Sequence, residues 1–273
     1  MTVGQRIAER RKMLGWTQQR MADALHVSFQ AVSKWENDAA LPDVTLLAPI
    51  AQLLQTTVDS LLGYHPQALT EYEEHYQGEQ YYWGLEPNSL CYDILRRKPP
   101  VRPWRVLDIG CGEGKDAVFL ARNGYHVSAF DIAEAGLNKA RRLAENCAAA
   151  VDFFRADLLD FHPEGIYDII FSSGVFHYLP LEKRDVIISR LKEHTAPNGL
   201  HVINVFVDKP FISPPPDAEA AETKTSPWKS GCLFTHYHDW LLHKTDEIIF
   251  DCHSGGIPHR HCMDVMIAEK VTD

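Results

Sequence analysis

No run in the 273 residues approaches the roughly twenty consecutive apolar positions that span a bilayer. Met1 leads into a charged helical segment rather than a signal peptide. No C-x-x-C pair occurs, and the six cysteines, at 91, 111, 147, 232, 252 and 262, show no disulfide framework. These absences exclude a membrane-spanning protein and a disulfide-stapled secreted domain, and reduced thiols in a cytoplasm are expected. Basic residues are in deficit, 27 Lys and Arg against 37 Asp and Glu, for a net charge of −10. The deficit is uneven: positions 1–65 hold six of each sign, so the remainder carries 21 basic against 31 acidic residues. An acidic second part repels nucleic acid, which argues against DNA or RNA as the substrate of that part. Internal repeats are absent too, and the one irregular tract is Ser213-Pro214-Pro215-Pro216 with the Ala/Glu-rich stretch to Thr225.

What the chain does have is enough apolar material, 45%, for packed cores, and at 31.0 kDa two domains are expected. Its most informative stretch is Arg105-Val106-Leu107-Asp108-Ile109-Gly110-Cys111-Gly112-Glu113-Gly114. An apolar run ending near Asp108 reads as a buried parallel strand, and Lys115 to Asn123 has helical periodicity. The glycines between them let backbone N–H groups approach a ligand at a helix N-terminus. A second short strand, His126 to Phe130, ends in Asp131, about twenty residues beyond the first glycine, where a carboxylate can accept from ribose hydroxyls. A dinucleotide fingerprint spaces its glycines G-x-G-x-x-G, whereas this chain has G-x-G-x-G.

The segment resembles motif I of the class I S-adenosylmethionine-dependent methyltransferases. Later segments extend the likeness: Phe154-Arg155-Ala156-Asp157-Leu158 as the end of a third strand, Tyr167 to Ser173 as the fourth, and Pro197-Asn198-Gly199 as the turn before a fifth from Val202 to Val207. The resemblance implies a Rossmann-like α/β domain over 66–273, a mostly parallel sheet with one antiparallel C-terminal strand near Cys262 to Lys270 and a hairpin partner at Glu247 to Asp251. It also implies S-adenosylmethionine as cofactor, held by Asp108, Gly110, Cys111, Gly112, Gly114, Asp131, Ile132, Asp157, Leu158 and Ser173. Tyr81-Tyr82-Trp83-Gly84 is similar to the aromatic segment that covers the cofactor in tellurite-resistance-type and thiopurine-type methyltransferases. Tyr82 and Trp83 are thus either a cover facing the sulfonium by cation–π attraction or a packing cluster.

The first 65 residues read as a separate all-α bundle. Val3 to Leu14 forms a helix with Ile7 and Leu14 inside and Arg6, Arg10, Arg11 and Lys12 largely outside. Thr17 caps a second helix to about Leu25, and His26-Val27 makes a tight turn in which His tolerates positive φ. Ser28 caps a third through Trp35 and Glu36; Val44 to Leu54 and Val58 to Leu62 follow, with Pro49 expected to kink or shorten the fourth. The pattern resembles the Cro/lambda-repressor-type helix-turn-helix. That resemblance implies double-stranded DNA as a partner, Phe29, Gln30, Ser33 and Lys34 facing bases and Gln18, Ser28 and Asn37 meeting phosphates. With one module and no basic excess, useful affinity calls for a homodimer on two half-sites. A helical module that only dimerises or docks a partner is the alternative. Gly63 to Ala68 reads as the linker.

Methyl transfer from a sulfonium is an in-line displacement, and holding nucleophile and methyl in line with water excluded supplies much of the catalysis. The sequence therefore assigns no catalytic residue; Tyr82, Trp83, His177, Tyr178, His259 and His261 are candidates for the substrate pocket. His177 is either a buried, hydrogen-bonded histidine or one that orients substrate. Cys111 reads as a small residue that fits its turn rather than a nucleophile. His236, His238, His243, Cys252, His253, His259, His261 and Cys262, with Cys232 before them, crowd the C-terminal part. Zinc ligands, pocket lining and surface histidines all remain open there, and spacing assigns no metal site. The Ser213 to Thr225 insertion reads as a lid or substrate-selecting loop, or as a plain surface insertion. The expected function is methyl transfer to a small soft acceptor, a thiol or a chalcogen oxyanion such as tellurite, beside sequence-specific DNA binding. The alternative is a transcriptional regulator whose methyltransferase-like domain senses a ligand or metal(loid) without significant turnover.

Overall fold

The computed structural model describes residues 2–54, 56–63, 71–212, 228–252 and 258–271. The chain divides into two compact units, Met1–Ala68 and Leu69–Asp273. Most of the expected linker and the whole Ser213 to Thr225 insertion lie outside the described residues.

In the first unit, α1 (Val3–Met13) starts at Thr2, whose hydroxyl accepts from the Gln5 N–H while the Gln5 side chain reaches back to the Thr2 N–H. Thr17 and Ser28 cap α2 (Gln18–Leu25) and α3 (Phe29–Glu36) through their hydroxyls. Between them His26 adopts φ 55°, so the turn joining the two helices forms without glycine. The next helix, α4 (Val44–Leu53), runs on through Pro49 instead of stopping there, and the Leu54 N–H still meets the Ile50 carbonyl at 2.9 Å. With α5 (Val58–Leu62), these helices bury Ile7, Met21, Val32, Trp35, Ile50 and Leu61 in one core. Arg11 corrects the expected face of α1. Its guanidinium is buried in a two-pronged pair with Glu36, at 2.5 and 2.8 Å, because α3 brings that carboxylate against it.

The second unit opens with α6 (Glu71–His75) and α7 (Ser89–Arg97). Then follow β1 (Arg105–Ile109), α8 (Lys115–Arg122), β2 (His126–Asp131), α9 (Glu134–Asn146), β3 (Val151–Arg155) and β4 (Tyr167–Ser173). The rest comprises α10 (Arg184–Glu193), β5 (Thr195–Phe206), α11 (Cys232–Thr235), β6 (Leu241–Cys252) and β7 (His259–Glu269). The strands form one sheet in the order β3-β2-β1-β4-β5-β7-β6, with β7 antiparallel to both of its neighbours. Both faces are covered, which is why the inner strands read as continuous apolar runs rather than alternating ones. Val106 packs with Ile94 of α7 and Ala117 of α8 on one face. Its neighbours Leu107 and Ile109 pack with Ile187, Ile188 and Leu191 of α10 on the other.

Two expected boundaries move. The Pro197-Asn198-Gly199 turn sits inside β5: Tyr167 pairs with Thr195 and Ile169 with Leu200, so the intervening residues bulge out, Asn198 at φ 57°. At the other edge β3 ends at Arg155, and Asp157 belongs to the turn after it, its Oδ1 accepting from the Leu159 N–H at 2.9 Å. Strand order reverses between β1 and β4, and at such a switch point open α/β sheets present their ligand crevice beyond the carboxyl ends of the strands.

Candidate functional site

A cavity of about 470 Å³ lies at that edge of the sheet. Asp108, Gly110, Cys111, Gly112, Asp131, Ile132, Asp157, Leu158 and Ser173 line it. The glycine turn explains itself sterically. Gly110, at φ +70°, has no room for a side chain, since a Cβ would stand 2.3 Å from Val175 Cγ2. A Cβ on Gly112 would meet Tyr76 Oη at 2.9 Å. Gly114 plays a different part: it lies outside the lining, and a Cβ there would strike Ala140 Cβ of α9 at 2.6 Å. Its smallness therefore sets helix packing, and Gly110 and Gly112 set the wall of the cavity.

Carboxylates dominate the electrostatics. Asp131 is held at the end of β2 by two backbone donors, the Gly112 N–H to Oδ2 at 2.8 Å and the Ala133 N–H to Oδ1 at 2.9 Å. Burial raises its pKa against those two bonds. Asp108 is only 2% exposed. Burial, followed by the Asp116 and Asp131 charges, pushes its carboxyl well above the usual range, and its Oδ2 has no hydrogen-bond partner among the described residues. A buried, orphaned carboxylate oxygen is costly unless a donor or cation meets it. The site thus fits a ligand that brings hydroxyls to Asp131 and positive charge to Asp108. Cys111 makes no case as a nucleophile: burial and the same two aspartates drive its thiol pKa far upward, so the thiolate is disfavoured.

Sequence reasoning missed several neighbours. Asp116 on α8 accepts from the Asn88 N–H at 2.6 Å, and the Asn88 amide donates to Ser173 Oγ at 3.0 Å. Tyr72 and Tyr76 also line the cavity, their i, i+4 spacing placing both on one face of the α6 segment. That spacing was the available signal. Trp83 lines the cavity beside them and donates from Nε1 to Tyr76 Oη at 3.1 Å. Tyr82, by contrast, lies outside the lining and stacks on His75, with centroids 4.7 Å apart. Glu113, the acid of the glycine turn, faces away into a buried pair with Lys139 at 2.6 Å. Lys139 also donates to the Gln80 carbonyl at 2.5 Å, and Glu113 accepts from the Trp83 N–H at 3.3 Å, so the pair fastens the aromatic segment to α9.

The far end of the cavity is apolar and sulfur-bearing, with Phe206, Phe250, Cys252, His261 and Met263 in its wall and Tyr178 at its side. His177 is half-buried behind Tyr178 and Phe206, at 4.0 and 4.8 Å between ring centroids. Its Nδ1 has no hydrogen-bond partner among the described residues, and burial lowers its pKa to about 3, so the ring is neutral. Of the C-terminal histidines and cysteines, Cys252, His259 and His261 come together among the described residues. His236 pairs with Asp185, His243 pairs with Glu269, and Cys262 faces the core on the opposite side of β7. His253 is outside the described residues.

In the first unit, Ser28, Phe29, Gln30, Lys34 and Asn37 are exposed along or beside α3, and Ser33 is half-buried. Ser28 Oγ is engaged as the helix cap, and the Gln18 amide donates to Glu36 Oε2 at 2.7 Å. No helix among the described residues is long and apolar enough to cross a membrane.

Residues 106–199 match the methyltransferase-domain family, and residues 7–61 match the helix-turn-helix family. Hemagglutinin 1 of Eikenella corrodens is 30% identical over 205 residues, covering 72% of this chain and 65% of that protein. A protein of Haemophilus influenzae named "Probable S-adenosyl-L-methionine-dependent methyltransferase TehB" is 25% identical over 229 residues, 81% of this chain and 71% of that one. The crystal structure of TehB from Haemophilus influenzae superposes with a TM-score of 0.58 at 23% identity, over 73% of this chain and 65% of that chain. The chain thus spans about two thirds of the length of these relatives. It carries a helix-turn-helix domain followed by an S-adenosylmethionine-dependent methyltransferase domain with the Rossmann-like sheet of that class.

Proposed function

We propose that the chain transfers a methyl group from S-adenosylmethionine to a small soft acceptor, a thiol before a chalcogen oxyanion, and that its helix-turn-helix domain binds double-stranded DNA. The observation that carries the first part is Asp108: a buried acid in the lining of a cavity at the β1/β4 switch point, with one oxygen unpartnered among the described residues. S-adenosylmethionine supplies, when bound, a methyl group made electrophilic by the sulfonium. In this reading Asp108 receives the cationic amino-acid end, Asp131 keeps its two backbone donors and accepts ribose hydroxyls, and Asp157 meets the adenine. Tyr72, Tyr76 and Trp83 present electron-rich rings to positive charge and exclude water.

The acceptor preference follows from the far wall. Phe206, Phe250 and Met263 offer no charge to an oxyanion. Among the described residues of the lining the basic side chain is Lys115, whose Nζ donates to the Glu86 carbonyl at 2.9 Å and lies 3.5 Å from Asp116 Oδ1. A neutral, polarisable acceptor loses least on entering such a wall. The neutral His177 behind it keeps the floor uncharged.

Calorimetric titration of the purified chain with S-adenosylmethionine, repeated on Asp131→Ala, tests the cofactor site. Micromolar binding abolished by the substitution is expected; a folded wild type that does not bind overturns the reading. Release of S-adenosylhomocysteine over a panel of small thiols and tellurite then ranks acceptors, and turnover with tellurite alone would overturn the preference for thiols. For the first unit, the exposed face of α3 supports DNA binding. Gln30→Ala and Lys34→Ala should each weaken binding to a selected duplex, while Leu62→Ala, remote in sequence, should not.

A further inference from the structure

The three chemistry-bearing side chains that the cofactor reading leaves unused are gathered at one point. Cys252 ends β6, and His259 and His261 begin β7; Cys252 and His259 are direct partners across the hairpin ladder. Residues two apart on a strand share a face, so His261 stands on the same side as His259. The Cys252 thiol sulfur and one ring nitrogen of each histidine lie within 4.8 Å of one another. The two Nε2 atoms are 2.8 Å apart. Cys252 and His261 also line the far end of the cavity. All three side chains are half-buried.

We propose that Cys252, His259 and His261 form a binding site for a thiophilic divalent cation, Zn²⁺ foremost, with an open coordination position facing the acceptor end of the cavity. One thiolate and two imidazoles are a preferred donor set for Zn²⁺, and three protein ligands, the number found among the described residues, with an open fourth position are the arrangement of catalytic rather than structural zinc sites. At metal–nitrogen lengths of about 2.0–2.1 Å, tetrahedral ligands stand roughly 3.3 Å apart. The two imidazoles therefore need to part by only about half an ångström, the ion taking the place of the hydrogen now shared between them. Antiparallel pairing of β6 with β7 runs through all three ligands, so they sit on sheet rather than on loop.

The site rests on the methyl transfer proposed above and supplies the charge that the apolar part of the wall lacks, so that a thiol is taken up as its anion. A thiol entering the open position binds as thiolate, the metal–sulfur bond forming as the S–H proton leaves to solvent. The bound sulfur keeps lone pairs for the displacement. In this way an apolar wall with no acid–base pair could still present a nucleophile that is deprotonated at neutral pH.

Cobalt(II) titration of the reduced, untagged full-length protein is the test, with S-adenosylmethionine affinity measured on the same samples. One equivalent of Co²⁺ should give the intense visible bands of a four-coordinate ion and a thiolate-to-metal charge-transfer band in the near ultraviolet. Cys252→Ser should abolish the charge-transfer band, and His261→Ala should weaken binding by more than about tenfold, the range already seen for lesser, outer-shell changes. Cys262→Ser, one residue away and facing the core, should leave the spectrum intact. Cofactor affinity should be unchanged in Cys252→Ser. A wild type that binds no cobalt, or a charge-transfer band that survives Cys252→Ser, overturns the site while leaving the cofactor reading standing. Loss of cofactor binding in the wild type would be the failure of that reading instead.

Discussion

Lys139→Met should destabilise the methyltransferase domain more than an ordinary surface change would, and it should loosen one wall of the cavity as it does so. The Lys139 and Glu113 side chains are 3% and 2% exposed, 2.6 Å apart, and each has a further hydrogen-bond partner on the segment before β1. Removing the cation leaves a buried carboxylate whose remaining donor is the Trp83 N–H at 3.3 Å. Breaking a buried pair in this way costs about 3–5 kcal/mol. For a domain of this size each kcal/mol moves Tm by roughly 2–4 °C, so a fall of about 6–20 °C is expected. Replacing both members, Glu113→Gln with Lys139→Met, should recover most of the loss, because a matched uncharged pair leaves no buried charge unpaired. Calorimetric unfolding of the full chain reads the stability, and S-adenosylmethionine titration reads the wall, since Trp83 hangs from this pair. A Tm within about 2 °C of wild type for Lys139→Met would refute the reasoning; it would mean that water replaces the cation.

Three further outcomes are expected. Burial and the neighbouring Asp116 and Asp131 charges raise the Asp108 pKa, so a cationic ligand that lowers it again draws off a proton as it binds. S-adenosylmethionine affinity should rise with pH, calorimetric heats should vary with the buffer's ionisation enthalpy, and both effects should vanish in Asp108→Asn. His201, buried between Thr195 and Tyr237 with Lys192 and Lys270 nearby, has its pKa lowered to about 3. A histidine depressed in the fold contributes stability above its unfolded pKa and loses it as pH falls. Denaturant titrations should therefore show wild type losing about 1.4 kcal/mol per pH unit relative to His201→Gln below roughly pH 6.5. Gly110→Ala forces a Cβ to 2.3 Å from Val175 at positive φ, and should abolish cofactor binding without unfolding the sheet, as circular dichroism would show.

Much of this was legible in residue order. Caps at Thr17 and Ser28, the left-handed His26 and the strand–glycine–helix–strand–acid series all depend on local chemistry, and local chemistry is written in neighbouring residues. What escaped was non-local. Nothing near Arg11 says that Glu36, 25 residues on, will draw it inside. Nothing near Glu113 says that its partner is on α9. Gly114 and Gly110 look alike in a motif, yet one faces a helix and the other the cavity, a distinction set by where α9 crosses. The bulge in β5 hid a turn within a strand, since Pro-Asn-Gly reads the same before a strand as inside one. The meeting of Cys252, His259 and His261 depends on hairpin register, which spacing alone leaves open.

The reversed direction of β7 has a consequence for how such a protein can diversify. Because it runs against its neighbours, it is its beginning, not its end, that reaches the ligand edge. Apart from the aromatic cover from Tyr72 to Trp83, the cofactor half of the cavity is thus written between Asp108 and Ser173, while much of the acceptor half is written between Phe206 and Met263. Two tasks that meet in space are kept apart along the gene. Drift in the second stretch can retune what is methylated while the machinery that holds the methyl donor is inherited untouched.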